Sequence, residues 1–375
     1  MRSATSLAGD IRAALGGQPA LKKTYEALRS MRWRLSDAWR SRAPRDPLDP
    51  WQRFPFIDTV RHADKLKSGG AYRPVTLQCE TVNTCNNLCV ICAYPQEQRK
   101  RTVMPMDVFE KVLRDYSEMG GGYLSLTPVT GDILLDRYLL QRLEMVKRYP
   151  RIRELGVTTN AVMLDRFTDP DVRSIVNAFD KLQISIYGLD EEEYVAMTKR
   201  RTYHRAIDAV RRILDVRTEN VFLAFRLLKP YSQTDVEQWV EATFGRPVAI
   251  NVMNGGYLNW SVLDTTQPLP FGATWRDHGT PAKSQCLLPL LAMTVCADGS
   301  VNFCGCVGNL EELVLGNIDQ HTLVELYNTP RARALWNWQD CGVPASCARC
   351  TFHAPLETLR IKPSLIDDPF PWTGA

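Results

Sequence analysis

The sequence predicts an α/β fold in which a parallel sheet with crossover helices precedes a small cysteine-rich unit. Short apolar β-rich runs alternate with amphipathic helical stretches from about residue 75 to residue 253, and the cysteines form two groups that lie nearly two hundred residues apart. Six strand–helix repeats imply a sheet that is either curled or doubly wound. Such a sheet places its site at the carboxyl ends of the strands.

The N-terminal region is basic. Residues 1–46 hold ten Lys and Arg against four acidic residues, a net charge of +6. Apolar residues at helical spacing predict a helix over Leu21–Trp39, which either packs on the main domain or contacts a membrane surface or an acidic partner. The Pro-rich stretch 41–50 marks a linker. We assign residues 1–70 to this helical extension and linker.

The alternating region is assigned to residues 71–255. Its strands are predicted at Val75–Glu80, Tyr123–Thr127, Leu155–Thr159, Lys181–Tyr187, Val221–Leu227 and Ala249–Val252. Its helices are predicted at Met106–Glu118, Arg137–Lys147, Asp169–Ala178, Tyr203–Val216 and Gln233–Thr243. Residues 256–285 form a bridging segment. Residues 286–375 form the cysteine-rich unit and tail, with a hairpin over 293–304 that turns at Asp298-Gly299 and short helices over 322–327 and 331–338.

Composition and charge bound the function. The chain of 375 residues is 45% hydrophobic and 23% charged, as ordinary globular proteins are. A formal charge of +4 does not argue for nucleic acid as a partner. No apolar run reaches the ~20 residues of a membrane span, and Asp10 and Arg12 interrupt any secretion signal. We expect a soluble cytoplasmic protein.

The first cysteine group has the spacing Cys85-x3-Cys89-x2-Cys92. In a reducing compartment, clustered cysteines favour metal over disulfides. Three thiolates on one loop can hold three corners of a four-iron cluster, and the absence of a fourth nearby cysteine leaves one iron open. A structural zinc site with Cys79 as fourth ligand is the alternative, although Cys79 lies inside the predicted strand.

This motif after a first strand resembles the signature of the radical S-adenosylmethionine (SAM) superfamily. The resemblance implies a partial (β/α)6 TIM-like barrel and a [4Fe-4S] cluster whose open iron binds SAM. It implies cleavage of SAM to a 5′-deoxyadenosyl radical that abstracts hydrogen from a substrate. An electron donor such as flavodoxin or ferredoxin is then required.

Further positions match the superfamily in chain order. Thr130-Gly131-Asp132 stands where Gly-Gly-Glu usually holds the amino group of SAM, and Ser185 stands where a strand residue contacts ribose. Arg226 stands where a cation pairs with the methionine carboxylate. The resemblance therefore implies cofactor-binding roles for Ile91, Tyr94, Gly131, Asp132, Asn160, Ser185 and Arg226.

The second cysteine group resembles the auxiliary-cluster domains called SPASM and twitch. A full SPASM unit carries seven cysteines for two clusters, whereas here the downstream order is reversed and no cysteine follows Cys350. The twitch form, with one auxiliary [4Fe-4S] cluster, fits better. It implies Cys286, Cys304, Cys347 and Cys350 as ligands. Cys306 in place of Cys304, or zinc in place of iron, remains open.

The resemblance leaves the reaction undecided among three outcomes. Epimerisation needs a hydrogen-atom donor, for which Cys306 is the candidate; dehydrogenation needs an electron acceptor, which an auxiliary cluster supplies; elimination needs neither. Twitch enzymes of antibiotic pathways act on sugars, aminocyclitols and nucleosides, so we expect a small polar substrate contacted by Glu80 and Asn251 and walled by Trp260. Two alternatives are a maturase of ribosomal peptides and a zinc-stabilised binding protein without enzymatic activity.

Overall fold

The computed structural model describes residues 54–96, 98–259, 261–276, 284–304 and 311–367. The predicted helix Leu21–Trp39, Trp260 and the candidate hydrogen-atom donor Cys306 lie outside the described residues. Within these ranges, no helix is long and apolar enough to cross a membrane.

The central feature is a nine-stranded sheet. A short antiparallel hairpin, β1 (Lys67–Ser68) and β2 (Ala71–Tyr72), precedes it. Six strands then run parallel in chain order: β3 (Thr76–Cys79), β4 (Gly122–Ser125), β5 (Ile152–Thr159), β6 (Lys181–Ile186), β7 (Val221–Leu227) and β8 (Ala249–Asn254). All six predicted strands are thus confirmed, together with the α/β class and the partial barrel.

Helices connect the parallel strands and pack on one face of the sheet. They are α1 (Met106–Glu118), α2 (Leu139–Val146), α3 (Asp169–Ala178), α4 (Glu191–Thr198), α5 (Tyr203–Val216) and α6 (Gln233–Phe244). Apolar spacing explains α1, which buries Phe109, Val112, Leu113 and Tyr116 along one stripe. Capping boxes start α3 at Thr168 and α6 at Ser232.

Helix α4 was not predicted from the sequence. Its buried residues include Glu193 and Thr198, so it carries no apolar stripe that periodicity could detect. Asp190 caps its first turn by accepting a hydrogen bond from the Glu193 N–H at 2.8 Å. Tertiary contacts, discussed below, therefore determine this helix.

The C-terminal unit continues the same sheet. The bridging segment contributes β9 (Gly256–Tyr257) and β10 (Thr274–Trp275), which pair with each other. Strand β11 (Ala292–Val295) pairs in parallel with β3, and β12 (Ser300–Asn302) and β13 (Val314–Asn317) follow antiparallel. Gly299 forms the predicted turn with φ of 82°, which favours glycine. The cysteine-rich hairpin is therefore joined to the first barrel strand.

Short helices complete this unit. They are α7 (Leu288–Leu291), α8 (Leu323–Tyr327), α9 (Pro330–Leu335), α10 (Trp338–Cys341), α11 (Ala345–Ala348) and α12 (Thr358–Ile361). The single helix predicted over 331–338 is two helices, because the chain leaves helical geometry at Asn337. Trp336, beside that break, is buried against Phe303 with ring centroids 5.1 Å apart.

Candidate functional site

The loop after β3 carries the three cysteines of the first group. Cys89 is buried, and Cys85 and Cys92 are half-buried. The Leu88 N–H donates to the Thr198 carbonyl at 2.9 Å, and the Val90 N–H donates to the Met197 carbonyl at 2.9 Å. The C-terminal end of α4 therefore holds the cysteine loop, which explains why this helix forms without an apolar stripe.

The three thiols share one desolvated environment. Burial raises the pKa of Cys85 to about 12, partly offset by the backbone N–H groups of Asn86 and Asn87. Burial also raises the pKa of Cys89, and the charges of Cys92 and Cys85 raise it further. Thiolates that oppose one another's ionisation in this way need a cationic partner, and an iron–sulfur cluster ligated by Cys supplies one.

This donor set fits a cluster. Within the described ranges, no three His, Cys, Asp or Glu side chains are arranged to hold a single metal ion. A tetrahedral zinc ion would need its thiolates about 2.3 Å from one centre. Thiolates that ligate different iron atoms of a cluster do not share a centre, so the cluster places no such demand on them.

Asn160 and Asp132 lie next to the cysteine loop. The Asn160 Nδ2 lies 3.7 Å from Cys85 Sγ and donates to Asn86 Oδ1 at 3.1 Å. The buried Asp132 carboxylate accepts from the Asn160 N–H at 2.8 Å and from Thr159 Oγ1 at 2.9 Å. The structure thus brings Asp132 and Asn160 to the motif as expected. Asp132 is already bonded within the chain, and its contact with SAM stays a prediction.

Gly131 allows the loop after β4 to pack on the segment before Cys85. A Cβ at this position would lie 2.3 Å from the Val82 carbonyl oxygen and 3.1 Å from that of Thr84. The neighbouring Asp132 N–H donates to the same Thr84 carbonyl at 2.9 Å. Backbone therefore packs on backbone here, and only glycine fits.

Ser185 lies at the end of β6 and leads to a residue that sequence reasoning missed. The Ser185 hydroxyl is hydrogen-bonded to Tyr187, and Tyr187 is hydrogen-bonded to Cys89. Burial, with the charge of Cys89, raises the pKa of Tyr187, so its hydroxyl stays a donor. Because residues two apart on a strand share a face, the pair Ser185 and Tyr187 was the available signal.

Arg226 projects from β7 into the barrel. It donates to the Phe225 carbonyl at 3.2 Å, and Tyr187 and Tyr257 are its electrostatic neighbours. Burial lowers its pKa. Among the residues the structure describes, no carboxylate forms an ion pair with it. A bound carboxylate would offset this desolvation, which fits the predicted role.

Ile91 and Tyr94 flank the third cysteine of the motif. Ile91 packs against an apolar cluster that includes Met197 and Tyr257. The Tyr94 N–H donates to Cys92 Sγ at 3.4 Å, and its buried ring lies 4.3 Å from the guanidinium of Arg101. Both residues support the loop, and any contact with adenine stays a prediction.

Many side chains on the concave face of the sheet are polar and uncharged, and a few are charged. Along each strand, alternate residues such as Leu124 and Val157 join the core that packs on the helices, which leaves their neighbours on the opposite face. The uncharged polar residues among these neighbours include Gln78, Ser125, Thr127, Thr158, Gln183 and Asn251. Several are bonded to one another: Ser125 Oγ donates to Thr127 Oγ1 at 3.0 Å, and Gln78 Nε2 donates to the Thr127 carbonyl at 3.0 Å.

Glu80 does not line this face as a substrate contact. Its side chain is fully buried, and its carboxylate pairs with Arg99 and accepts from the backbone N–H groups of Val129 and Thr130. The expectation that Glu80 contacts substrate hydroxyls is therefore wrong, because no lone pair remains exposed. Asn251, the other candidate, is half-buried on β8 in register with Ala224.

The four cysteines predicted for the auxiliary cluster line one pocket. Cys286, Cys304, Cys347 and Cys350 all contribute to its wall. The rest of the wall is mainly apolar: Leu288, Pro289, Phe303, Leu313, Leu335, Trp338 and Pro344, with His353. Burial raises the pKa of Cys286 to about 12, and the charge of Cys304 raises it further. A thiol set of this kind fits a cationic cluster with a complete set of ligands.

The remaining described cysteines lie elsewhere. Cys79 is buried 4.0 Å from the Met104 sulfur, and Cys296 is buried with Asn302 Nδ2 at 3.2 Å from its sulfur. Cys341 is exposed at the end of α10. None of these three residues lines the auxiliary pocket.

Two polar contacts position the auxiliary cysteines. The Glu312 carboxylate accepts from the Ala345 N–H at 2.7 Å and from Ser346 Oγ at 2.6 Å, and so it fixes the start of the turn that carries Cys347. Asn259 Nδ2 in the bridging segment donates to the Arg349 carbonyl at 2.9 Å. Asn259 therefore links the segment after β9 to the pair Cys347 and Cys350.

Comparisons with known proteins agree with both sites. The family profile of the Radical SAM superfamily matches residues 79–242, and that of the SPASM iron–sulfur cluster-binding domain matches residues 286–351. Two curated relatives are GTP 3′,8-cyclases. The one from Petrotoga mobilis is 20% identical over 46% of this chain and 53% of its own, and the one from Chlorobaculum tepidum is 25% identical over 46% and 50%. The chain thus spans about half the length of these relatives.

A solved structure shares the fold. SuiB of Streptococcus suis, bound to the precursor peptide SuiA, superimposes with a TM-score of 0.53 at 12% identity over 82% of this chain and 78% of its own. The two matched domains imply a [4Fe-4S] cluster with SAM in the first and auxiliary iron–sulfur binding in the second. The chain therefore belongs to the radical SAM superfamily and carries a C-terminal SPASM-type domain.

Proposed function

We propose that this radical SAM enzyme abstracts hydrogen from a small polar substrate of sugar, aminocyclitol or nucleoside type. Its product is an epimer or a dehydrogenated compound. The bound cluster and SAM supply one-electron reduction and hydrogen-atom abstraction. The uncharged polar side chains on the concave face carry the proposal, because they would offer hydrogen bonds to a substrate beside the cysteine loop.

Amides and hydroxyls suit a substrate that is rich in hydroxyl groups. Each such side chain can both donate and accept hydrogen bonds, and so can each substrate hydroxyl. Gln183, for example, is buried, and its Nε2 donates to Thr158 Oγ1 at 3.4 Å. This single contact uses only part of the hydrogen-bonding capacity of an amide and a hydroxyl. A site built in this way rejects analogues that lack the hydroxyl, because its own polar groups are then left unpaired.

The charges on this face disfavour a polyphosphate. Lys181, on β6, lies 3.4 Å from Glu154 and is thereby neutralised. Arg226 is the cation that we assign to the SAM carboxylate. A nucleoside triphosphate would need several further cations, so we do not extend the cyclisation of GTP from the relatives to this chain.

The bridging segment covers one side of the proposed substrate site. Tyr257, Leu269 and Trp275 pack in one apolar cluster with Ile91 and Met253. Tyr257 is anchored by a hydrogen bond from its hydroxyl to the Leu227 carbonyl at 2.6 Å. A cover of this kind favours a compact substrate and excludes water from the reacting centre.

The test is release of 5′-deoxyadenosine by the anaerobically reconstituted protein, supplied in parallel with sugars, aminocyclitols, nucleosides and short peptides. A polyol or nucleoside is expected to stimulate release and to be consumed. Asn251→Leu is expected to lower this stimulation, whereas Asn177→Leu, an exposed amide on α3, should not change it. Stimulation by peptides alone would replace the proposal with maturation of a ribosomal peptide.

The product distinguishes the two reaction outcomes. In deuterated solvent, epimerisation through a thiol places deuterium at the inverted carbon, whereas dehydrogenation gives a ketone or aldehyde. Cys306→Ala is expected to abolish the first outcome. If product formation survives this substitution, Cys306 is not the donor. We further propose a cytoplasmic location and an electron donor of the flavodoxin or ferredoxin type.

Iron analysis separates this proposal from the zinc-stabilised alternative. One cluster in each cysteine group gives about eight iron atoms per chain, and a zinc protein gives none. A colourless preparation with stoichiometric zinc would rule out the enzyme. About four iron atoms would leave the auxiliary site without a cluster.

A further inference from the structure

Exposed cations lie on two chain segments that contact the start of the cysteine loop. We call these cations the basic rim, which comprises Lys100, Arg101, Lys199, Arg200 and Arg201. The two segments that supply it, residues 98–102 and 199–205, contain no acidic residue. The proposed reaction assigns no role to the basic rim.

Two hydrogen bonds fix the basic rim to the loop. Arg101 Nη1 donates to the Asn83 carbonyl at 3.1 Å, and Arg200 Nε donates to the Asn86 carbonyl at 3.1 Å. The accepting residues are three positions apart, so at most about 10 Å of chain separates them. Both guanidinium groups therefore lie beside the start of the motif, on either side of Cys85.

The other members of the rim form no ion pair with any residue that the structure describes. In the part of the chain that the structure describes, no ion pair involves Lys100, Lys199 or Arg201, and all three are exposed. By contrast, the nearby Arg205 pairs with Asp165 at 2.7 Å. Like charges gathered on one surface repel one another, so they cost stability unless a partner uses them.

We propose that the basic rim docks an acidic one-electron carrier protein against residues 85–92. This inference depends on the reductive chemistry of the first cluster and not on the identity of the substrate. The carrier is oxidised by one electron and the cluster is reduced by one electron, and no bond forms or breaks between the two proteins. Cations on both sides of the loop would steer an acidic surface toward it and fix its orientation.

The rim offers a double variant that spares the loop. Lys199→Glu with Arg201→Glu reverses two charges and leaves the two arginines that bond to Asn83 and Asn86 in place. The control is Lys147→Glu with Arg148→Glu, which reverses two exposed charges that pair with Glu144 and Glu110. These two exposed cations follow α2 and precede β5, so they lie at the amino edge of the sheet, opposite the site.

The experiment measures binding of flavodoxin, as an acidic carrier, to each reconstituted protein. The rim variant is expected to raise the dissociation constant at least about tenfold, and the wild-type affinity is expected to fall steeply between about 50 and 300 mM salt. The control variant should bind as the wild type does. Release of 5′-deoxyadenosine driven by dithionite, a small reductant that needs no docking, should be equal in all three proteins.

Each other outcome has a separate meaning. Equal affinity of the rim variant and the wild type for flavodoxin would overturn the inference. So would loss of binding to a single-stranded oligonucleotide with unchanged binding to flavodoxin, because the rim would then serve nucleic acid. Failure of dithionite to release 5′-deoxyadenosine from the wild type would contradict the proposed function itself, and it leaves the binding measurement to decide the docking surface.

Discussion

Glu80 and Arg99 form a buried ion pair, with 2.8 Å between Oε1 and Nη1. The same carboxylate accepts from the N–H groups of Val129 and Thr130, at 3.0 and 3.1 Å, and from that of Ala297 at 3.3 Å. One side chain thereby joins the end of β3, the segment after the cysteine motif, the loop before Gly131, and the auxiliary hairpin. The first cluster site and the auxiliary hairpin are thus positioned through Glu80.

Glu80→Gln is expected to destabilise the protein strongly. The amide keeps the shape but removes the buried carboxylate that pairs with Arg99, and breaking a buried pair costs about 3–5 kcal/mol. The control is Glu144→Gln, which removes an exposed pair with Lys147 and is expected to cost less than about 1 kcal/mol. Chemical denaturation of the reconstituted proteins measures both. A small effect at Glu80 would show that the network does not hold the two parts together.

Substitution of cysteines is expected to divide the auxiliary unit into ligands and non-ligands. Cys347→Ala should remove about four of about eight iron atoms per chain and leave the first cluster intact, because each cluster has its own cysteines. Cys341→Ala, in the same unit but exposed and outside the pocket, should leave the iron content unchanged. Iron analysis with electron paramagnetic resonance checks both. Loss of iron in the second variant would indicate a second auxiliary cluster, as in a full SPASM unit.

The barrel strands were predictable because burial of one face imposes an alternating pattern on each of them. Val221–Leu227 was predicted with the bounds that the structure shows, and α1 and α3 were as well. Helix α4 was not predictable, since its buried Glu193 binds the Leu228 and Lys229 N–H groups, and such tertiary contacts leave no periodic signal. The domain boundaries at 70, 255 and 285 stay predictions.

The site was predictable where a residue's chemistry depends on its spacing in the chain. The cysteine motif and the C-x2-C pair are of this kind. The role of Glu80 was not, because a carboxylate at a strand end has the same sequence context whether it faces a substrate or a buried arginine. Tyr187 was missed for a similar reason: its bond to Cys89 joins residues about a hundred positions apart.

Gly131→Ala is expected to displace the loop after β4. The added Cβ would lie 2.3 Å from the Val82 carbonyl, and backbone on both sides prevents local relief. We expect weaker binding of SAM together with a lower thermal midpoint, since the same loop holds Asp132 against Asn160. Gly256→Ala is the control, because its Cβ would meet only the side chain of Arg276 at 3.7 Å or more. Calorimetric titration with SAM and thermal unfolding measure the two effects.

Arg226→Gln is expected to separate cofactor binding from stability. Loss of a charge-assisted pair with the SAM carboxylate, worth about 1.5–3 kcal/mol, should raise the dissociation constant of SAM about 10- to 100-fold. The thermal midpoint without SAM should stay equal or rise, because the substitution removes a desolvated cation that no described carboxylate pairs with. Arg217→Gln is the comparison: its guanidinium donates to the Phe179 carbonyl at 2.7 Å, so stability should fall while SAM binding is kept. Unchanged SAM affinity in Arg226→Gln would remove this residue from the cofactor site.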